Sequence, residues 1–117
     1  MTINEIKNLL DANVLCGEEL DREVESACGS DMMSDVLAFV KDRAVLLTGL
    51  VNSQTIRTAE MMDMICVIFV RGKLPSEDMV ELAEESGIAV LTTNMRMFEA
   101  CGILYANGLK GNGEIYG

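Results

Sequence analysis

Met64 to Thr93 reads MICVIFVRGKLPSEDMVELAEESGIAVLTT, and this stretch decides the fold. Ile65 to Val70 is an unbroken apolar run, rich in β-branched and aromatic residues, without the polar alternation of a half-exposed strand. A strand covered on both faces reads this way, as in parallel sheets flanked by helices. Arg71-Gly72-Lys73 ends the run. Pro75 lacks the N–H that a helix interior needs, so it lies just ahead of the next helix. Ser76 is placed to cap that helix. Glu77 and Asp78 put negative charge in its first turn, where the helix dipole favours it. Met79, Val80, Leu82 and Ala83 form an apolar stripe, while Glu81, Glu84 and Glu85 face water. Gly87 suits the left-handed position that closes a helix. Ile88 to Leu91 is a second buried strand. A crossover of this length between two buried strands implies a right-handed, parallel βαβ unit.

The pattern continues upstream. Thr2 and Glu5 have capping-box spacing, and Ile3, Ile6, Leu9 and Leu10 make one apolar face, so the spacing predicts a first helix to about Leu10. Val14-Leu15-Cys16 reads as a short strand. Arg22 to Cys28 alternates weakly, as a half-exposed strand would. Met33, Val36, Leu37 and Val40 face one side of a helix that Lys41-Asp42-Arg43 ends. Ala44 to Thr48 is another buried strand, and Asn52 or Ser53 caps a helix over about Gln54 to Met62. Downstream of the central unit, Thr93 or Asn94 caps a last helix with Phe98, Cys101, Leu104 and Tyr105 on its inner side. Gly102 in that helix costs about 1 kcal/mol against alanine, which suggests a close packing contact there. Asn107-Gly108 ends it.

Helices and strands thus alternate throughout. They predict a three-layer α/β/α sandwich with a largely parallel sheet of about five strands. Residues 1–108 form one domain, and 109–117, glycine-rich and weakly patterned, form a flexible or loosely packed tail.

Composition narrows the function. The chain has 117 residues, half of them hydrophobic, enough for a real core. Its net charge of −10 argues against nucleic acid and anionic membrane as partners, since both require a cationic surface. No apolar run is long enough to span a bilayer. Without a histidine, the commonest general base and metal ligand is missing. Cys16, Cys28, Cys66 and Cys101 are scattered, with no close pair of the kind zinc sites use, and read as buried free thiols of a cytoplasmic protein. Neither a metal nor a cofactor is called for. Asp11, Glu18, Glu19, Asp21 and Glu23 read as a solvated acidic face. The nine methionines read mainly as core filler.

In open α/β sheets, ligands bind beyond the carboxyl ends of the strands. Here those positions hold Thr48, Gly49, Asn52 and Ser53, then Arg71, Gly72 and Lys73, then Thr92, Thr93 and Asn94, with Gly29-Ser30-Asp31 able to join them. Small residues, hydroxyls and two cations would suit a phosphate at a helix N-terminus. Ordinary turn chemistry uses the same residue types, and no P-loop or dinucleotide fingerprint is present.

Several segments together resemble a known family. They are Leu15-Cys16-Gly17-Glu18, Leu20 to Val24, Gly29 to Leu37, Arg71-Gly72 with Pro75, Glu85 to Thr93, Phe98-Glu99 and Leu104-Tyr105. The pattern resembles a DRTGG domain over nearly the whole chain apart from the tail. It departs from the family where Arg71-Gly72 follows a valine in place of a Thr-Gly-Gly type turn, and where Leu50-Val51-Asn52 stands for an Asp-Arg pair. The resemblance implies an α/β/α fold similar to the N-terminal domain of HPr kinase/phosphorylase and the middle domain of some phosphotransacetylases. It also implies a relation to domains that accompany CBS domains in regulated pyrophosphatases and contribute to dimer contacts there. Stand-alone versions occur in anaerobic bacteria. The expectation is therefore a non-catalytic regulatory or protein-interaction module, a homodimer or the binder of another protein. The alternative is a small-molecule sensor that takes a nucleotide or phosphate compound at the strand ends.

Overall fold

The computed structural model describes residues 1–39 and 43–111. Its elements in chain order are α1 (Ile3–Leu9), β1 (Asn13–Cys16), β2 (Ser26–Gly29), α2 (Met33–Phe39), β3 (Ala44–Thr48), α3 (Ser53–Met61), β4 (Cys66–Phe69), α4 (Glu77–Glu85), β5 (Ala89–Thr92) and α5 (Met97–Ala106). The sheet has five strands in the order β1-β5-β4-β3-β2. Neighbours from β2 to β5 pair in parallel, and β1 pairs antiparallel with β5 at the edge.

The layering follows from the two-residue period of the strands. Val45, Leu47, Cys66, Ile68, Ala89 and Leu91 face one side, where Ile3 and Ile6 of α1 and Ala100 and Leu104 of α5 cover them. Leu46, Val67, Phe69 and Val90 face the other, under Val36 of α2, Ile56 and Ala59 of α3, and Met79 and Ala83 of α4. Both faces of β3, β4 and β5 are buried, as their unbroken apolar runs require.

Capping places the helices. The Thr2 hydroxyl accepts from the Glu5 N–H, and the Glu5 carboxylate accepts in return from the Thr2 N–H. That backbone bond, then the Thr2 hydroxyl, holds the Glu5 carboxyl below its ordinary value. Asn52 caps α3 and Ser76 caps α4. Gly87 closes α4 with φ of 71°.

Three local expectations need correction. The second strand starts at Ser26, not Arg22, because the preceding segment is bonded elsewhere. Val24 N–H donates to the Met1 carbonyl and Glu25 N–H to that of Arg43, while Glu23 makes an isolated antiparallel bridge with Thr2. In α5 the buried pair is Ala100 and Leu104, whereas Phe98 is 85% exposed and Tyr105 59%. Phe98, Gly102 and Tyr105 lie four and three residues apart and so share one helix face, the one turned to water. Gly102 meets no packing contact among the described residues: a Cβ built there has none of their atoms within 4 Å.

The expected end of α2 at Lys41-Asp42 and most of the proposed tail, 112–117, lie outside the described residues. Leu109 is buried, and the Lys110 carbonyl accepts a hydrogen bond from the Ala27 N–H beside the β2 edge. No helix among the described residues is long and apolar enough to cross a membrane.

Candidate functional site

α4 follows β4 onto one face of the sheet, and α5 follows β5 onto the other. The chains leaving these adjacent strands must diverge, and divergence opens a crevice at their carboxyl ends. Backbone bonds close its floor. Arg71 N–H donates to the Met95 carbonyl at 2.8 Å, Gly72 N–H to Thr93 at 2.8 Å, and Thr93 N–H to Phe69 at 2.9 Å.

Val70 to Lys73 makes a tight turn in which Lys73 N–H donates to the Val70 carbonyl at 3.2 Å. Both central residues have positive φ, 60° at Arg71 and 69° at Gly72. A Cβ at the second position would also crowd the Asn94 side chain, standing 3.1 Å from its Oδ1. Arg71 carries a bulky side chain in a backbone state that costs a non-glycine residue about 1–2 kcal/mol. Its guanidinium lies over Gly49, where a Cβ would overlap it.

The resulting cleft is open, has a volume of ≈ 850 Å³, and is lined by Gly29-Ser30-Asp31, Val70-Arg71, Asn94 and Arg96-Met97-Phe98. Asp31 Oδ1 accepts from the Thr48 hydroxyl at 3.0 Å and from the Gly49 N–H at 2.7 Å, which ties the β2 loop to the end of β3. No carboxylate of the described residues pairs with Arg71 or Arg96, although acidic residues outnumber basic ones by 19 to 9. α5 begins here with Arg96 at its N-cap and no side-chain hydrogen bond to its first turn. Its leading N–H groups and the positive end of its dipole are therefore open to an anion.

The residues singled out from the sequence divide into three groups. Arg71 and Asn94 line the cleft, and Gly72 shares the Arg71 turn; Thr48 and Gly49 hold Asp31 in place. The rest are committed to the scaffold or stand aside. The Asn52 side chain accepts from the Thr55 N–H, and Ser53 opens α3. The Thr92 hydroxyl donates to the Lys73 carbonyl at 2.7 Å, and Lys73 itself is exposed outside the lining. The Thr93 hydroxyl, expected as a helix cap, is buried and donates to the Leu10 carbonyl at 2.7 Å, tying the α1–β1 turn to the end of β5. Arg96, Met97 and Phe98 were not anticipated. The signal for them was a cation and an aromatic in the first turn after Asn94, which the expected cap at Thr93 or Asn94 obscured.

A second concavity of ≈ 460 Å³ at the other end of β5 is lined by Glu18, Glu19, Glu84 and Arg22 among others. Three carboxylates oppose one guanidinium there, and the Gly87 carbonyl already accepts from that guanidinium at 2.8 Å. This is the wrong sign for an anionic ligand. The acidic residues of the first helix-strand region are exposed, as expected of a solvated face.

Burial pushes all four thiols above their ordinary value of 9.0, Cys66 most of all. Native protein should therefore react with a chromogenic disulfide at pH 8 more slowly than the urea-unfolded chain at all four positions. A thiol that reacts faster when folded would contradict this. An unfolded thiol loses its proton near pH 9 and a folded one only higher, so this contribution to stability is complete below pH 9 and declines as pH rises through the folded values.

A model of the DRTGG domain matches residues 5–106. The chain belongs to the DRTGG domain family. No curated protein matches the sequence. Among solved structures, this DRTGG domain is similar to the CBS and DRTGG domains of the regulatory region of Clostridium perfringens pyrophosphatase, complexed with the activator diadenosine tetraphosphate. The TM-score is 0.75 at 20% identity, over 88% of this chain and 45% of that one. The match spans less than half of the clostridial chain, and at that identity it shows the shared fold: a mostly parallel five-stranded sheet between helices.

Proposed function

We propose that this DRTGG domain is a non-catalytic regulatory module, acting in the cytoplasm, whose cleft reads the level of a phosphate-bearing small molecule. The observation that carries this reading is the pair of arginines, Arg71 and Arg96, without carboxylate partners among the described residues, at the open N-terminus of α5. Charge-assisted bonds from guanidinium groups and helix N–H groups are the usual means of holding phosphate. The activator complex of the clostridial regulatory region is in keeping with a sensing role. The non-catalytic part is supported by the thiols, which burial keeps protonated.

A ligand that binds only the folded state raises the melting temperature by mass action. A panel of orthophosphate, pyrophosphate and nucleotides should give a saturable upward shift with at least one member, and Arg71→Ala should remove it. A shift that survives Arg71→Ala would displace the proposed site. No shift from any member would remove the sensing reading.

A second reading, pairing with another copy of this chain, is favoured by the outward face of α5. Cys101, Gly102, Tyr105 and Ala106 present an apolar surface there, with little to keep a second backbone away from Gly102. The wild-type chain should then sediment as a dimer at micromolar concentration and Tyr105→Glu as a monomer. A wild-type monomer at high concentration would dismiss the pairing.

A further inference from the structure

We infer that the cleft takes a nucleoside phosphate, with its phosphate toward Arg71 and Arg96 and its base against Phe98. The inference rests on the phosphate reading above and narrows it.

Size is the first argument. An open volume of ≈ 850 Å³ falls in the range of small-molecule sites, roughly 300–1,000 Å³, and is far more than a bare phosphate fills. Polarity is the second. The cations stand on the β4 and β5 loops, and the β2 loop brings the Asp31 carboxylate to Gly49, over which the Arg71 guanidinium also lies. Two fixed donors hold Asp31 Oδ1, and Oδ2 accepts no hydrogen bond from the described residues. A carboxylate fixed in this way repels a phosphate but accepts readily from a hydroxyl. The cleft therefore offers a hydroxyl acceptor as well as cations, a pairing that a ribose phosphate can use.

Phe98 is the third argument. It is the second residue of α5, forms part of the cleft wall, and is 85% exposed. Aromatic residues make up 4% of this chain, so an aromatic ring left in water at the mouth of a cationic cleft calls for a use. Bases stack on such rings with little regard to identity, because each has a π-face. A phosphorylated sugar without a base would make no stacking contact with Phe98.

The test is titration calorimetry with ADP, UDP and pyrophosphate on the wild-type chain and on Phe98→Ala, Asp31→Asn and Arg71→Ala. The Asn Oδ1 can still accept from Thr48 and Gly49, so Asp31→Asn keeps the loop tie. Phe98 is exposed, so its replacement leaves the fold intact. Both nucleotides should bind tighter than pyrophosphate by about ten-fold or more, in line with one base stacked on one ring. Phe98→Ala should erase most of that advantage while leaving pyrophosphate unchanged. Asp31→Asn should weaken the nucleotides alone, and Arg71→Ala should weaken all three. If pyrophosphate binds as tightly as ADP and UDP, or if Phe98→Ala leaves nucleotide affinity unaltered, the nucleoside assignment is overturned and the phosphate reading stands. If none of the three binds, or if Arg71→Ala has no effect, the phosphate reading falls and takes this inference with it.

Discussion

Replacing Phe69 by alanine should lower stability by about 3–5 kcal/mol, a large share of the roughly 5–15 kcal/mol that holds a domain of this kind together. Phe69 is fully buried at the end of β4, the central strand, in the core cluster that α2, α3 and α4 share. Removing its ring forfeits the transfer free energy of the lost atoms. It also leaves a cavity that helices packed on three sides cannot collapse to fill. The same substitution at Phe98 should move stability by no more than about 0.5 kcal/mol, because that ring is already in water. Urea unfolding of both variants checks the pair. A loss below about 1.5 kcal/mol at Phe69, or a loss comparable to it at Phe98, would mean that the two rings are not placed as described.

Gly17→Ala should be of similar severity for a different reason. Gly17 ends β1 with φ of 121°, a conformation that side-chain-bearing residues rarely adopt. A Cβ there would stand 2.7 Å from the Ala89 Cβ and 3.0 Å from its Cα on the neighbouring strand. Strain of about 1–3 kcal/mol adds to overpacking of about 1–3 kcal/mol. Part of the obstacle is backbone, which cannot swing aside. The urea midpoint should fall sharply, and Gly17→Ala combined with Ala89→Gly should recover part of the overpacking loss but none of the strain. A Gly17→Ala variant as stable as the wild type would refute the close approach of β1 to β5.

The central unit was legible because each local signal agreed with its neighbours. The apolar run before Arg71, the Ser76 cap, the Met79–Ala83 stripe and Gly87 all point to one strand-helix-strand passage, and it is present. The α5 face was misjudged because bulk was weighed above period. Phe98 and Tyr105 are the obvious core candidates by type, but Ala100 and Leu104 fill the space against β3 to β5. The cap of α5 was misplaced because Thr93 has the right chemistry, and only the fold reveals that its hydroxyl is committed to Leu10. The cleft was half legible. Strand ends and their loops follow from the element order, whereas the convergence of Asp31, Arg71 and Arg96 depends on which helices leave on which face. The direction of β1 carries no local signature, since it is set by a partner far along the chain.

That last point bears on how the molecule is made. From β2 to β5, each parallel pair joins strands consecutive in sequence, so those pairings close short loops and can form in turn. The edge strand is the exception, since Asn13 faces Thr92. On the ribosome, β1 leaves the tunnel before the other four strands of this sheet, and its partner in the sheet is made only when β5 follows. Of these five strands, the one made earliest is thus the last to be incorporated. Until then its free edge, and the apolar face that α1 will cover, are the parts of the nascent chain most open to chaperones or to a neighbouring copy.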